Sequence, residues 1–318
     1  MVFAEALKTN FLAIAQVFVL GMIGFYILKL GVLGQCCLRT ISNLVVEIAL
    51  PCFIFTNTLT YFPLVRGESW YVFPLYTLLI FTVAASLAFA YSKIDSRLGK
   101  TREFISLVTF QNSGFLPIIL IGALAPKELQ GKLFIYIFLF ILLYNIVLFT
   151  FGETIFSGTH KKIGWKNLLN SASIATVAAL VLSLAGGRRY IPDAIFKPLK
   201  MLGDTTIPLS MVVIGGIVMV NYAGKAKFPY GFVFKAGFLK LVALPLLVFV
   251  LLLKLNLPSE ARFLIMIEAL MPPAAVLPLM ADKYDGDHNL VGQALFGITL
   301  MSLITVPILM SLLNVTIG

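Results

Sequence analysis

Charged residues are scarce in this sequence. Only 12% of the 318 residues are Asp, Glu, Lys or Arg, whereas 60% are hydrophobic, and the mean hydropathy is +0.99. A soluble domain rarely combines so little charge with so much apolar surface, but an integral membrane protein does. The formal net charge of +10 therefore does not indicate nucleic-acid binding. The basic residues lie mostly in short connections, where they face lipid headgroups and set orientation.

The motifs of several function classes are absent as well. The three cysteines, Cys36, Cys37 and Cys52, form no spaced disulfide framework, so we interpret them as free thiols near one membrane interface. The sequence has no Walker motif, no HExxH and no GxSxG elbow, which leaves nucleotide-driven transport and hydrolysis without support. No basic leader with a small-residue cleavage site precedes or follows the first apolar run, so we expect that run to remain as a spanning helix. We therefore expect a membrane transporter without a cofactor, and not an enzyme.

Long apolar runs predict ten membrane-spanning helices, because a spanning helix needs about 20 mostly apolar residues. We number these runs as spans one to ten; they cover residues 9–28, 40–62, 69–92, 104–126, 133–152, 167–187, 205–224, 236–257, 261–281 and 289–314. The connections are short, so we expect no appended soluble domain. The acidic connection "DKYDGDHNL" lacks the fixed ligand loop of a calcium site, and we interpret it as a solvated turn without a metal.

A faint internal repeat relates the two halves of the chain. At an offset of about 158 residues, Pro51 of span two matches Pro208 of span seven, and "FISLVTFQNSGFLP" of span four matches "FLIMIEALMPPAAVLP" of span nine. Because five helices is an odd number, the second copy has to enter the membrane from the opposite side. Inverted repeats of this kind are an architecture of secondary transporters. We therefore divide the chain into a five-helix repeat, residues 1–155, and a second, inverted repeat, residues 156–318.

Loop charges favour termini on the extracytoplasmic side of the cell membrane. Lys and Arg number about 12 in the connections on the side of residues 93–102 and 161–166, against about 10 on the side of the termini. The positive-inside rule then predicts that both termini lie outside. The difference is small, and the basic stretch 188–200 argues for the opposite orientation.

Polar residues interrupt the middle of span four. The interruption contains Gln111, Asn112, Ser113 and Gly114, and it is followed by Pro117, which lacks the N–H that would bond to the Ser113 carbonyl. In hydrocarbon each unsatisfied polar group costs several kcal/mol, so such a break survives only in a protein interior or beside a watery cavity. For this span taken alone, the alternative is a proline kink in a membrane helix that has no role in binding.

Span nine is interrupted at the matching place by Pro272, Pro273 and Pro278. Two breaks at matching positions of two repeats are the best sequence indication of a transporter binding site. The N-termini of half-helices offer free N–H groups and a partial positive charge, which suit an anion. Asn112 adds amide donors, while Gln111 and Ser113 add donors and acceptors. Neither break contains Lys or Arg, so a bound anion would meet neutral donors.

Only two acidic residues fall inside the spans, Glu47 and Glu268, and each is a candidate for ion or proton coupling. We interpret Glu268 as a proton carrier; a protonated glutamate that bonds to a neighbouring helix is the structural alternative. For Glu47 the alternative is a structural role, in which its side chain contacts an adjacent helix. Asn145 of span five is a candidate for completing a cation site, with an interhelical hydrogen bond as the alternative. We expect Lys240 to extend its ammonium group to the membrane interface, with pairing to a substrate carboxylate as the alternative.

The segments "QNSGFLPIIL" and "EALMPPAAVLPLMADKYDGD", followed by a tenth span ending in "SLITVPIL", resemble the auxin efflux carrier family. That family includes plant PIN-formed carriers and bacterial permeases for malonate and related carboxylates. The resemblance covers essentially the whole chain. It implies a ten-helix fold like that of sodium–proton antiporters and bile acid symporters, with broken, crossing spans four and nine. It also implies a scaffold from spans one, two, six and seven, and a moving transport domain from spans three to five and eight to ten.

The resemblance further implies which residues line the substrate site: Asn112, Pro117, Met271, Pro272 and Pro273. We therefore predict a secondary transporter of small organic anions, such as auxin-like or malonate-like carboxylates, that works by an elevator or other alternating-access movement. The alternatives are a sodium-coupled bile-acid-like symporter, a cation–proton antiporter and, from other classes, a membrane receptor or intramembrane enzyme. The predicted partners are the organic anion, H⁺ or Na⁺ and the lipid bilayer, with no nucleic acid. The sequence leaves open whether two copies form a homodimer.

Overall fold

The structure, a computed structural model, describes residues 11–12, 19–95, 98–157, 170–222, 228–284 and 286–313. In chain order its helices are α1 (Val19–Lys29), α2 (Gln35–Val65), α3 (Trp70–Ile94), α4 (Thr101–Thr109), α5 (Leu116–Leu124), α6 (Lys127–Ser157), α7 (Ser171–Leu184), α8 (Asp193–Asp204), α9 (Thr206–Tyr222), α10 (Tyr230–Lys254), α11 (Ser259–Leu270), α12 (Leu277–Lys283) and α13 (His288–Leu312). Parts of the predicted segments lie outside the described residues: residues 9–10 and 13–18 of span one, the basic connection 161–166, residues 167–169 of span six, residues 223–224 of span seven, Asp285 and the last residue of span ten.

Five of these helices are long and apolar enough to cross a membrane: α2, α3, α6, α10 and α13. Two further apolar helices, α1 and α7, are shorter within the described residues. Because the described residues are almost entirely helical and include several such helices, the chain is a multi-pass integral membrane protein. Of the remaining predicted spans, four is made of α4 and α5 and nine is made of α11 and α12, whereas span seven corresponds to α9 alone and α8 lies in the connection before it.

The predicted breaks in spans four and nine are present, and proline explains their positions. Span four leaves the α-helical conformation at Phe110, and α5 begins with Pro117 in its first turn. Span nine leaves it at Met271, whose extended backbone is the conformation that the following Pro272 favours. α12 likewise has Pro278 in its first turn, a position where the missing N–H breaks no helical hydrogen bond.

Two π-helical turns, which were not predicted from the sequence, interrupt α2 and α10 at Val45–Ala49 and Leu239–Ala243. Each turn directly precedes a helical segment with proline in its first turn, Pro51 in α2 and Pro245 in α10. Because proline donates no N–H, the helix widens locally at these points. In α2 the Val46 carbonyl accepts a hydrogen bond from Ser171 Oγ of α7 at 3.1 Å, which satisfies a carbonyl of the widened turn.

The helices pack closely along the chain and across it. α2 packs against α6, α7 and α8, while α3 packs against α4 and α10 packs against α13. α1 and α9 lie in direct backbone contact, because a Cβ atom on Gly215 of α9 would stand only 1.7 Å from the carbonyl oxygen of Gly21 on α1. Only glycine permits so close an approach of two helices. These glycines therefore set the distance between α1 and α9.

Candidate functional site

The two broken spans cross each other at their unwound segments, residues 110–115 and 271–276, which together we call the crossing. An antiparallel bridge joins Gln111 to Pro273. In this bridge the Asn112 N–H donates to the Pro272 carbonyl at 2.8 Å, and the Ala274 N–H donates to the Phe110 carbonyl at 3.1 Å. Each unwound segment thus satisfies main-chain groups of the other, which is the condition for breaking a helix inside a membrane.

A buried carboxyl group lies behind the crossing. Glu268, in the last turn of α11, has no exposed surface, and its Oε2 accepts a hydrogen bond from Ser113 Oγ at 2.6 Å. The Gln111 side chain also faces this carboxyl group. Within the described part of the chain, Glu268 Oε1 lacks a hydrogen-bond partner. A buried carboxyl group with one unpaired oxygen has acceptor capacity to spare, which suits a group that gains and loses a proton.

Lys240 is buried as well, so the prediction that it reaches the membrane interface is wrong. Its side chain has no exposed surface, and Nζ donates to the Val108 carbonyl in the last turn of α4 at 3.0 Å. Lys240 lies ten residues into α10, roughly 15 Å along the helix axis, too far for a lysine side chain to return to the end of the helix. The ammonium group instead meets the negative end of the α4 dipole and interacts electrostatically with Glu268.

A cavity of about 420 Å³ opens beside the crossing. Residues of α1, α5, α9 and α13 line this large cavity, and the crossing contributes Met271 and Pro272; the others are Gly21, Met22, Phe25, Tyr26, Leu116, Leu120, Met211, Ile214, Gly215, Phe296, Thr299, Leu300, Ser302, Leu303 and Val306. A small cavity of about 30 Å³ adjoins it and reaches Asn112 and Pro273. No charged side chain lines either cavity among the residues that the structure describes.

The two cavities are neighbours, because they share four lining residues: Leu116, Ile214, Phe296 and Thr299. The small cavity also lies near the N-terminal end of α5, where the Phe115 N–H donates to Asn112 Oδ1 over a nitrogen–oxygen distance of 3.5 Å. The space beside the crossing therefore has a polar end, formed by Asn112 and the start of α5, and a larger apolar end.

Four of the predicted substrate-site residues line these cavities: Asn112 and Pro273 the small one, Met271 and Pro272 the large one. The others lie elsewhere. Gln111 and Ser113 are buried behind the cavities beside Glu268. Gly114 is half-buried, and Pro117 is buried in the first turn of α5; neither lines a cavity in the described part of the chain.

The predicted coupling residues are not all brought together. Glu268 lies at the crossing, whereas Glu47 lies in the π turn of α2 with its side chain exposed. Asn145 is half-buried on α6, and its neighbour Tyr144 is the residue that contacts the crossing, since the Tyr144 hydroxyl donates to the Gln111 carbonyl. Tyr144 was not predicted from the sequence. A tyrosine inside an apolar span was the available signal, because a buried hydroxyl usually has a hydrogen-bond partner.

Ion pairs join the two broken spans to neighbouring helices. Lys132 of α6 pairs with Glu260 of α11 at 2.8 Å. Lys100, just before α4, pairs with Asp287, just before α13, at 3.2 Å. Asp287 also accepts the Leu290 N–H at 3.0 Å and so caps α13. These two donors, the Leu290 N–H first and then the Lys100 ammonium, hold the pKa of Asp287 below its ordinary value. This aspartate of the acidic connection therefore caps a helix.

Known proteins resemble this chain along nearly its whole length. A family model described as membrane transport protein matches residues 9–164 and 153–310. An uncharacterized transporter of Methanocaldococcus jannaschii is 25% identical over 305 residues, which are 92% of this chain and 95% of the relative. An uncharacterized transporter of Methanothermobacter thermautotrophicus is 24% identical over 317 residues, 97% of this chain and 98% of the relative.

Proposed function

Because the chain belongs to the membrane transport protein family, we propose that it is a secondary transporter of small organic anions that binds its substrate beside the crossing. The family match confirms the resemblance to the auxin efflux carriers and identifies the chain as a membrane transporter and not an enzyme. The observation that carries the proposal is the position of Asn112, an amide beside a helix N-terminus, in a cavity at two broken spans. Helix N-termini with nearby neutral donors are a common way to bind an anion.

The chemistry of the two cavities favours one kind of organic anion. The Asn112 amide and the N-terminal end of α5 provide donors for a single carboxylate in the small cavity. The large cavity, at about 420 Å³, has the size of a small-molecule site and an apolar lining that suits an aromatic or aliphatic body. A second carboxylate there would meet no basic side chain among the described residues, and an unpaired charge in an apolar site is strongly disfavoured. We therefore favour apolar monocarboxylates over malonate-like dicarboxylates.

The coupling ion that fits this site is a proton, carried by Glu268. Ser113 connects the carboxyl group of Glu268 to the segment that contains Asn112. Lys240 Nζ bonds to the Val108 carbonyl at the negative end of α4, where a sodium ion would otherwise be attracted. This contact supports proton coupling over the sodium-coupled alternative. Glu47 and Asn145 lie apart from this group, and we assign them no part in coupling.

Energetics decide when coupling is needed. Moving one charge through 100 mV is worth about 2.3 kcal/mol, or roughly a 50-fold concentration gradient. Export of a monoanion from a negative interior could therefore run uncoupled. Uphill import would need a co-transported proton.

The position of the large cavity supports an elevator or rocking movement. α1 and α9 on one side of the cavity belong to the proposed scaffold of spans one, two, six and seven, and α5 and α13 on the other side belong to the proposed transport domain. The ion pairs of Lys132 with Glu260 and of Lys100 with Asp287 join helices within the transport domain, which would let it move as one body.

The two matched segments of the family model, residues 9–164 and 153–310, meet in the connection between spans five and six. That connection is where we place the boundary between the two inverted five-helix repeats, residues 1–155 and 156–318. We also propose that both termini lie outside the cell membrane, as the loop charges favour.

Substrate exchange across proteoliposome membranes tests the proposed function, because exchange reports transport whether or not a proton crosses with the anion. Proteoliposomes loaded with unlabelled phenylacetate at pH 7.5 should take up radiolabelled phenylacetate faster than protein-free liposomes, which control for passive diffusion of the neutral acid. Loading with malonate instead should accelerate this uptake at least several-fold less. Equal exchange with the two acids would contradict the substrate class, and no uptake above that of protein-free liposomes with either would contradict anion transport.

A further inference from the structure

The hydroxyl of Tyr144 reaches the crossing from outside the two broken spans. Tyr144 lies near the middle of α6, is 5% exposed, and donates its hydroxyl hydrogen to the Gln111 carbonyl. The side chain also faces Ser113 and Glu268. It is therefore the one described side chain whose hydrogen bond fixes the main chain of the crossing to the long, unbroken helix α6.

The bonded carbonyl belongs to the peptide group that carries the Asn112 N–H. That N–H donates to the Pro272 carbonyl at 2.8 Å, so the peptide group is held at its oxygen by Tyr144 and at its nitrogen by span nine. The Ser113 N–H also reaches the Gln111 carbonyl, at 3.0 Å, but it lies in the same unwound segment and moves with it. Only the contact with Tyr144 ties this oxygen to a different helix.

We propose that Tyr144 is a positioning residue for substrate binding, because its hydroxyl fixes the Gln111–Asn112 peptide and thereby directs the Asn112 side chain into the small cavity. The inference rests on the proposed substrate site. It does not require Tyr144 to touch the substrate, and Tyr144 lines neither cavity in the described part of the chain. A purely structural tyrosine would contribute to the stability of the fold without changing substrate affinity.

The chain offers a matched control on the same helix. Tyr136 is 1% exposed and donates its hydroxyl hydrogen to Glu68, at the end of α6. It precedes Tyr144 by two helical turns, roughly 12 Å along the axis. Tyr136→Phe therefore removes a buried tyrosine hydroxyl and its hydrogen bond, as Tyr144→Phe does, but at a distance from the crossing.

The test measures the Kd of phenylacetate for the purified full-length protein in detergent. Tyr144→Phe should weaken binding by about 2- to 10-fold, the range expected for one lost hydrogen bond. Tyr136→Phe should change the Kd by less than twofold. In an Asn112→Ala background, Tyr144→Phe should change log Kd by less than half as much as it does when Asn112 is present, because Tyr144 acts through Asn112.

A second readout needs no ligand. Hydrogen–deuterium exchange of peptides that cover residues 110–115 should be faster in Tyr144→Phe than in wild type, and unchanged in Tyr136→Phe. The positioning role is refuted if exchange in this segment is unchanged in Tyr144→Phe. It is also refuted if Tyr144→Phe changes log Kd equally with and without Asn112. If instead Asn112→Ala alone leaves the Kd unchanged, the proposed substrate site fails, and exchange still decides whether Tyr144 holds the segment.

Discussion

Replacing Glu268 by glutamine tests whether this carboxyl group links proton binding to substrate binding. Glutamine keeps the size of the side chain and can still accept the hydrogen bond from Ser113 Oγ, so we expect the fold to be retained. Asn112 is the residue before Ser113, whose hydroxyl bonds to Glu268. Because successive Cα atoms lie about 3.8 Å apart, we take roughly 8 Å as the separation between a carboxylate bound at Asn112 and the carboxyl group of Glu268. At an effective dielectric constant of about 20, two negative charges at that separation repel by about 2 kcal/mol. Phenylacetate should therefore bind roughly 30-fold more tightly when Glu268 is protonated.

The assay is the Kd of phenylacetate between pH 6 and pH 9, where the ligand itself stays ionised. In wild type the Kd should rise with pH by at most tenfold per unit, the limit for one linked proton. In Glu268→Gln it should change by less than twofold across the range. Lys240 and Tyr144 also face Glu268, but both remain in the glutamine variant. Any pH dependence of the Kd that they cause would therefore remain in that variant. Glu260→Gln, on the same helix but paired with Lys132 at its end, is the matched control and should keep the wild-type profile. A pH profile in Glu268→Gln equal to that of wild type would refute proton coupling through this residue.

Two further predictions concern the frame around the site. Gly215→Ala should separate α1 from α9 and destabilise the protein by about 1–3 kcal/mol, measured as a lower Tm in detergent; Gly231→Ala, at an exposed position with open space for the Cβ atom, should leave the Tm nearly unchanged. Asp287→Ala removes the N-cap of α13 and should cost about 0.5–2 kcal/mol at pH 7. Because the folded pKa of Asp287 is lowered, its stabilising charge is present above the unfolded pKa and is lost as the pH falls through the folded pKa, so the Tm difference between wild type and variant should shrink in acid. A Tm difference that grows in acid would contradict this account of Asp287.

The sequence predicted the interruptions of the membrane spans because their causes are local. A proline lacks an N–H and restricts the residue before it, so Pro117 and Pro272, beside polar or further proline residues, favour the ends of helical segments. The bridge between Gln111 and Pro273 has no such local signal, since it pairs residues more than a hundred positions apart. The close approach of α1 to α9, which shapes the apolar cavity, depends on long-range packing in the same way.

Lys240 shows why the environment of a charged residue was harder to predict. A lysine near the end of an apolar run usually extends to the interface, and this expectation requires knowing where the helix begins. α10 begins at Tyr230, so Lys240 lies well inside the helix, in a π turn that the sequence did not indicate. Tyr144 was missed for a related reason: in an apolar run a tyrosine that packs in the core and one that anchors a neighbouring segment look alike, and only the position of Gln111 distinguishes them.

The central claim is that a small organic anion is bound by Asn112 in the small cavity beside the crossing. The most direct test is the Kd of phenylacetate for Asn112→Ala, compared with wild type and with Asn57→Ala, in which the lost amide donates to the Phe53 carbonyl within α2. Loss of a hydrogen bond to a charged group should weaken binding by about 10- to 150-fold in Asn112→Ala, while Asn57→Ala should bind like wild type. Wild-type affinity in a folded Asn112→Ala variant would contradict the account.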